Sequence, residues 1–212
     1  MLYLSNMREF ITKNNNKLNL VLPTLEFNGV LVIGVVHGDE PQGEFLINEY
    51  LKCVKKTHLM FVPALNPDGM DRGTRTNLNG VDINRNFPTK NWVLSERDAY
   101  YGGESPASEV ETQFAVEVIE KYSPKLIVTL HAPYKIVNYD GDALVYAEEI
   151  SKRVGYPVQK DIGYPTPGSF GTYSSLEKGI PIITLELDEI CDKTELIKPV
   201  FDVFEYLETL IL

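Results

Sequence analysis

The octet HGDEPQGE, residues 37–44, follows directly on the apolar run GVLVIGVV, residues 29–36, and this junction decides the fold. A run of Val, Ile, Leu and Gly with no polar alternation has the composition of a strand buried on both faces. The polar octet begins where that strand should end. Pro41 suits the first turn of a following helix, because its fixed φ matches and its missing N–H needs no partner there. His37 and Glu40 stand three apart at this strand-to-helix turn, so an imidazole and a carboxylate can face one point, and zinc accepts that ligand pair. HxxE also arises by chance in chains that bind no metal, so the remaining ligands must be sought elsewhere.

Outward from the octet, strands and helices alternate. The helix expected over residues 41–55 places Leu46, Tyr50 and Val54 on one stripe. Upstream, LNLVLPTLEF (residues 18–27) reads as a strand that Pro23 confines to an edge or bulge. Downstream, HLMFVPALN (58–66) reads as a neighbouring strand opened by a surface or strand-edge His58. Ser105 and Pro106 have the pattern of a helix start, with Val110, Phe114 and Val118 as its buried stripe. KLIVTLH (125–131) is a buried strand ending on His131. An extended segment near IVNY follows, then a helix over about 142–154 stopped by Gly155, and a Gly- and Pro-rich loop over 161–174. IPIITLEL (180–187) is the last strand and carries Glu186, costly to bury unless paired or used. A closing helix shows Val200, Phe204, Leu207 and Ile211 at helical spacing, with Pro199 at its start or at a kink. The order predicts one α/β domain over 1–212, with a mixed, mostly parallel sheet flanked by helices.

The chain has 212 residues, 43% of them hydrophobic, enough for a substantial core. A net charge of −10 without a basic cluster argues against nucleic acid or an anionic membrane as the main partner. Two cysteines, Cys53 and Cys191, make no disulfide framework. The N-terminus lacks the basic start and apolar core of a secretory signal, and no apolar run approaches the ~18 residues of a membrane span. A cytoplasmic protein is expected, and no oligomeric state is specified.

Residues 66–103 break the alternation. NPDGMDRGTRTNLNGVDINRNFPTKNW is rich in Asn, Gly, Asp and Arg and has neither hydrophobic period. So long a loop inside a compact domain points to function, with Arg72, Arg75, Asn84, Arg85 and Asn86 as its chemistry-bearing residues.

His37 and Glu40 follow one strand, His131 ends a second, and Glu186 ends a third, all where α/β sheets bind ligands. Two His and one Glu would hold one zinc per chain and leave a position open for an activated water. Glu186, a separate carboxylate, fits a general base that then protonates the leaving amine. Arginine suits both a developing oxyanion and a substrate carboxylate.

HGDE, NPDG, GVDINRNF, TLHAPY and ITLEL, in this order over roughly residues 30–190, resemble the zinc carboxypeptidase family, whose metal motif is HxxE with a remote His. The resemblance implies His37, Glu40 and His131 as zinc ligands and Glu186 as general base and acid. It also implies Arg75, in competition with Arg72, as oxyanion stabiliser. Asn84 and Arg85 would hold a carboxylate beside the scissile bond, and Tyr164 would be the family's mobile tyrosine. RTNLNGVDINRNFPTKNW, PASEVET, GYPTPGSFGTY and ITLELDEI are similar, more narrowly, to the murein peptide amidases, a cytoplasmic branch of that superfamily. That similarity implies cleavage of the γ-D-glutamyl–meso-diaminopimelate amide of recycled cell-wall peptides, with a murein tripeptide as the small-peptide substrate. Gly171 stands where digestive members often have an aspartate, so a simple basic or aliphatic side-chain pocket does not follow. Asp188 and Glu189 would favour an amino group on the substrate, or form a solvated strand end. The alternatives are a metallocarboxypeptidase, an N-acyl amino acid deacylase, and an inactive peptide-binding module.

Overall fold

The structure, a computed structural model, describes residues 7–160 and 163–212. The run after Gly29 forms β1 (Val30–Gly34), buried throughout. Val30 and Val32 enter one hydrophobic core, Leu31 and Ile33 a second on the opposite face, which is why the run lacks polar alternation. The chain continues through α1 (Gln42–Cys53), β2 (Met60–Val62), α2 (Pro67–Arg72), α3 (Val110–Tyr122), β3 (Leu126–His131) and β4 (Ile136–Asp140). It ends with α4 (Leu144–Val154), β5 (Val158–Gln159), the short α5 (Phe170–Thr172), β6 (Ile182–Glu186) and α6 (Ile197–Glu208).

The described strands form one sheet in the order β2-β1-β3-β6-β4-β5. All neighbours are parallel except β4, which runs antiparallel to β6. Leu46, Ile47 and Tyr50 of α1, Ala147 and Ile150 of α4, and Val200, Phe204 and Leu207 of α6 cover one face. Phe114, Val118 and Ile119 of α3 cover the other, joined by Phe10 and Leu18. Because β1, β3 and β6 are parallel, their carboxyl ends share one edge, and His131 sits in register with Glu186. The chain leaves β1 for β2 on one side and takes up β3 on the other, so the loops diverge and open a crevice.

Several sequence expectations need correction. Residues 18–27 form no strand: Val21 alone bridges Phe61, exchanging bonds of 2.8 and 3.0 Å, and Pro23 has no N–H to extend the ladder. The third helix starts at Val110 behind Glu109, not at Ser105 and Pro106. Ala107 has φ 54, which a right-handed helix does not accept, and the Ser105 carbonyl closes a turn onto Ser108 N. Residues 66–103 contain α2 and a 3-10 turn at Ile83–Arg85 rather than loop alone. Residues 170–174, the end of the expected 161–174 loop, are helical, α5 running into a π turn at Tyr173–Glu177. Ile211 lies past the end of α6 and is 98% exposed. Asp161 and Ile162 of the expected 161–174 loop, and residues 1–6 of the segment read for a leader, lie outside the described residues. Cys53 and Cys191 are unpaired. Among the described residues, no helix is long and apolar enough to cross a membrane.

Candidate metal centre

β1 ends at Gly34, and two residues later the chain turns His37 and Glu40 back over the strand ends. Gly38 makes that turn possible: a Cβ there would collide with the backbone of Gly69 in α2. His131 comes from the last position of β3. His37, Glu40 and His131 are buried, and one ligand atom of each lies within 4.8 Å of the others. Glu40 Oε1 is 2.8 Å from His37 Nδ1, its Oε2 is 2.9 Å from His131 Nδ1, and the two Nδ1 atoms are 3.2 Å apart. Two imidazole nitrogens facing each other across a carboxylate are poorly matched as hydrogen-bond partners and well matched as ligands of a divalent cation. Two nitrogens and one carboxylate oxygen suit zinc. Burial opposes the charge on Glu40, yet His131 and His37 hold its carboxyl well below the usual range. Burial likewise opposes protonation of His37, and Glu40 with Asp82 nevertheless raises it to about 9.

Asp82 braces this cluster. Its fully buried carboxylate accepts from Arg75 Nε at 2.9 Å and pairs with Arg75 Nη2 at 2.9 Å, both on Oδ2. Its Oδ1 accepts from Asn84 N at 2.8 Å and lies 3.3 Å from His37 Nε2. Despite burial, His37 and Arg75 lower Asp82 to about 2. Arg75 is thereby fixed with Nη1 3.4 Å from His37 Nδ1 and 4.0 Å from Glu40 Oε1. Arg72 is exposed in the last turn of α2 and does not line the cavity, whereas Arg75 does.

The many asparagines of residues 66–103 wire this loop together. Asn66 caps α2 by accepting from Gly69 N at 2.9 Å. Asn77 accepts from Asn79 N and Val81 N, and donates to the buried Glu109 and Glu111 at 2.7 and 3.2 Å. Burial pushes Glu111 up to about 7. Asn86 donates to Gly102 O, Ser105 O and Ser108 Oγ.

The triad opens on a cavity also lined by Arg75, Asn84, Arg85, Tyr134, Tyr164 and Glu186. Asn84 Oδ1 accepts from Phe170 N at 2.9 Å, which leaves its amide NH₂ uncommitted. Arg85 donates from Nη1 to the Asn84 carbonyl at 2.7 Å, and Tyr100 lies against the guanidinium of both arginines. Glu186 is 9% exposed, and its Oε2 has no partner. Burial raises its pKa, His131 opposing and Glu40 adding to the rise. Tyr164, 44% exposed, stands at the rim beside Tyr134. Of the two acids after β6, Asp188 is engaged by Lys135 at 2.9 Å, whereas Glu189 lines the cavity. Sequence reading gave no role to Asp82, although it precedes the NRN turn as an N-cap, nor to Asn138, Asp140 and Lys160, which also line the cavity.

A buried His-Glu-His cluster at the carboxyl edge of a mixed α/β sheet, facing a cavity with an unpartnered carboxylate, defines a zinc metallohydrolase. A profile of the family "Zinc carboxypeptidase" matches residues 25–199, and the chain belongs to that family. It is 31% identical to murein peptide amidase A of Escherichia coli K12 over 176 residues, covering 76% of this chain and 71% of that protein. To murein peptide amidase A of Vibrio campbellii it is 32% identical over 177 residues, covering 76% and 69%. The crystal structure of a murein-tripeptide amidase from Escherichia coli O157 superposes with a TM-score of 0.84 at 26% identity, over 95% of this chain and 91% of that one. Carboxypeptidase A of Helicoverpa armigera shares the fold, with a TM-score of 0.74 at 16% identity over 93% of this chain and 65% of that one.

Proposed function

We propose that the protein hydrolyses the γ-D-glutamyl–meso-diaminopimelate amide of murein peptides, acting in the cytoplasm. The observation that carries this reading is the similarity to murein peptide amidases over three quarters of the chain, joined to a cavity lined by both arginines and acids. His37, Glu40 and His131 would hold zinc, which when bound would supply Lewis acidity and lower the pKa of a water at its open position.

The chain's own groups divide the rest of the work. Glu186, buried and with Oε2 unpartnered, takes the water's proton there and passes it to the leaving amine; its raised pKa brings it closer to neutral operation. Arg75, locked by Asp82, presents Nη1 to the developing oxyanion. Diaminopimelate carries a carboxylate beside the cleaved amide, and Arg85 with the amide NH₂ of Asn84 holds it. Tyr164 closes the rim over the bound peptide.

The test is incubation of zinc-loaded protein with L-Ala-γ-D-Glu-meso-diaminopimelate, with free diaminopimelate measured as product. Release of diaminopimelate supports the reading. Release only of C-terminal residues from ordinary L-peptides makes the protein a carboxypeptidase, and release only from N-acyl amino acids makes it a deacylase.

A further inference from the structure

The cavity continues away from the metal ligands, down the face of β4 and β6. Because β4 runs against β6, Ile136 pairs with Glu186, Asn138 with Thr184 and Asp140 with Ile182. Thr184, Asn138 and Asp140 line the same cavity as Glu186. A buried sheet face is normally apolar, yet polar side chains at every second position lead here from the catalytic edge toward the opposite one. The four residues from Glu186 to Ile182 correspond to roughly 13 Å at ~3.3 Å per residue.

At the deep end, Gly171 keeps Asp140 open: a Cβ at Gly171 would collide with Asp140 Oδ2. Asp140 is half-buried, and its carboxylate receives no hydrogen bond among the described residues. Burial raises its pKa, and Lys160 is the charge that opposes the rise. Lys160 also lines the cavity and forms no salt bridge among the described residues. Of the other cations of the lining, Arg75 is engaged by Asp82, and Arg85 is already assigned to the carboxylate beside the cleaved amide. A half-buried carboxylate without a protein donor takes its hydrogen bonds from water or from a ligand. The cavity therefore offers a half-buried carboxylate without a protein donor and, exposed beside it, an ammonium without an ion pair among the described residues, beyond a polar channel.

We propose that Asp140 and Lys160 are specificity-determining residues for a leaving residue whose long side chain ends in both an ammonium and a carboxylate, Asp140 taking the ammonium and Lys160 the carboxylate. The inference rests on the amidase reading for the bond that is cut, and adds what selects the residue on its amine side. Diaminopimelate fits: three methylenes carry its second amino-acid centre down the recess. Lysine would leave Lys160 facing no anion, and a plain diacid would leave Asp140 facing no cation.

The test compares four peptides, L-Ala-γ-D-Glu-X, with X as meso-diaminopimelate, L-lysine, L-2-aminopimelate or L-norleucine, cleaved by the zinc-loaded protein. The expected kcat/KM for diaminopimelate exceeds each of the others by roughly 10-fold or more, the worth of a charge-assisted hydrogen bond. Asp140→Asn should collapse the diaminopimelate-to-aminopimelate ratio, and Lys160→Gln the diaminopimelate-to-lysine ratio. Each ratio is measured within one preparation, so partial misfolding cancels. A wild-type protein that cleaves the lysine peptide as fast as the diaminopimelate peptide, or variants with unchanged ratios, overturns the proposal. If the γ-D-glutamyl series resists while N-acetyl-X is cleaved, the amidase reading falls, and the same ratios on N-acetyl-X decide the pocket. If neither series is cleaved, calorimetric binding of free X to zinc-loaded Glu186→Gln gives those ratios, and equal binding overturns the proposal.

Discussion

Asp82→Asn should weaken the metal site and loosen Arg75 together, because one carboxylate serves both. Asn keeps the shape and one acceptor but removes the charge and introduces an NH₂ group. Whichever way the amide turns, that group faces either the two Arg75 nitrogens at 2.9 Å or the Asn84 N–H at 2.8 Å. Removing one partner of a buried ion pair costs about 3–5 kcal/mol. Arg75, with its side chain 24% exposed, recovers part of that by rehydration, leaving roughly 2–3 kcal/mol of stability. Loss of the group behind a metal-bound imidazole costs roughly 10–100-fold in metal affinity, about 1.4–2.7 kcal/mol. Zinc Kd by chelator competition and the urea midpoint read the two effects separately. Arg75→Ala is the control: it should lose activity while keeping zinc affinity near wild type. Asp82 is lowered from 3.8 to about 2, so its contribution is complete above pH 3.8 and disappears as pH falls through 2. Wild-type zinc affinity and midpoint in Asp82→Asn would refute the bracing role.

His131→Ala should abolish both bound zinc and activity; stoichiometric zinc by elemental analysis would remove His131 from the ligand set. Glu186→Gln should keep zinc and lose roughly 10²-fold or more in rate, and near-normal turnover would move the proton transfer to another group. Arg85→Ala should weaken chiefly substrates with a carboxylate beside the cleaved amide, so an equal loss on a carboxylate-free amide contradicts the clamp. Glu111 is raised from 4.5 to about 7 by burial, so its contribution is full below pH 4.5 and is lost as pH rises through 7. Glu111→Gln should remove that slope, leaving the variant more stable above neutrality by up to about 3 kcal/mol; parallel wild-type and variant stability curves would exclude it.

The metal ligands and Glu186 were legible because each sits at or just past the end of a long apolar run: His37 and Glu40 follow one, His131 closes a second, and Glu186 a third. Arg75, Asn84 and Arg85 were singled out with Arg72 and Asn86 by the loop's chemistry, but separate roles for them came only from the resemblance, since residues 66–103 have no hydrophobic period to say what faces what. Asp82 stood in plain view within GVDINRNF but was silent, because its role depends on Arg75 and His37 converging on it. Asp140 and Lys160 could not be placed from their positions in the chain. Asp140 reaches the site only because β4 pairs antiparallel with β6, and nothing in IVNY specifies strand direction. The strand expected at 18–27 failed because apolar composition reports burial there, whereas ladder formation also needs backbone donors.

The contact of Gly38 with Gly69 ties two distant motifs into one inherited unit. Neither glycine touches a proton, a metal or a substrate, yet any side chain at Gly38 would push the HGDE turn away from the NPDG helix. A saturation scan read only by chemistry would misfile both positions as ligands. For redesign, the octet and the opening of the following loop must be exchanged as a pair, while new substrate contacts are best sought further along, toward the rim at Tyr164 and the floor at Asp140.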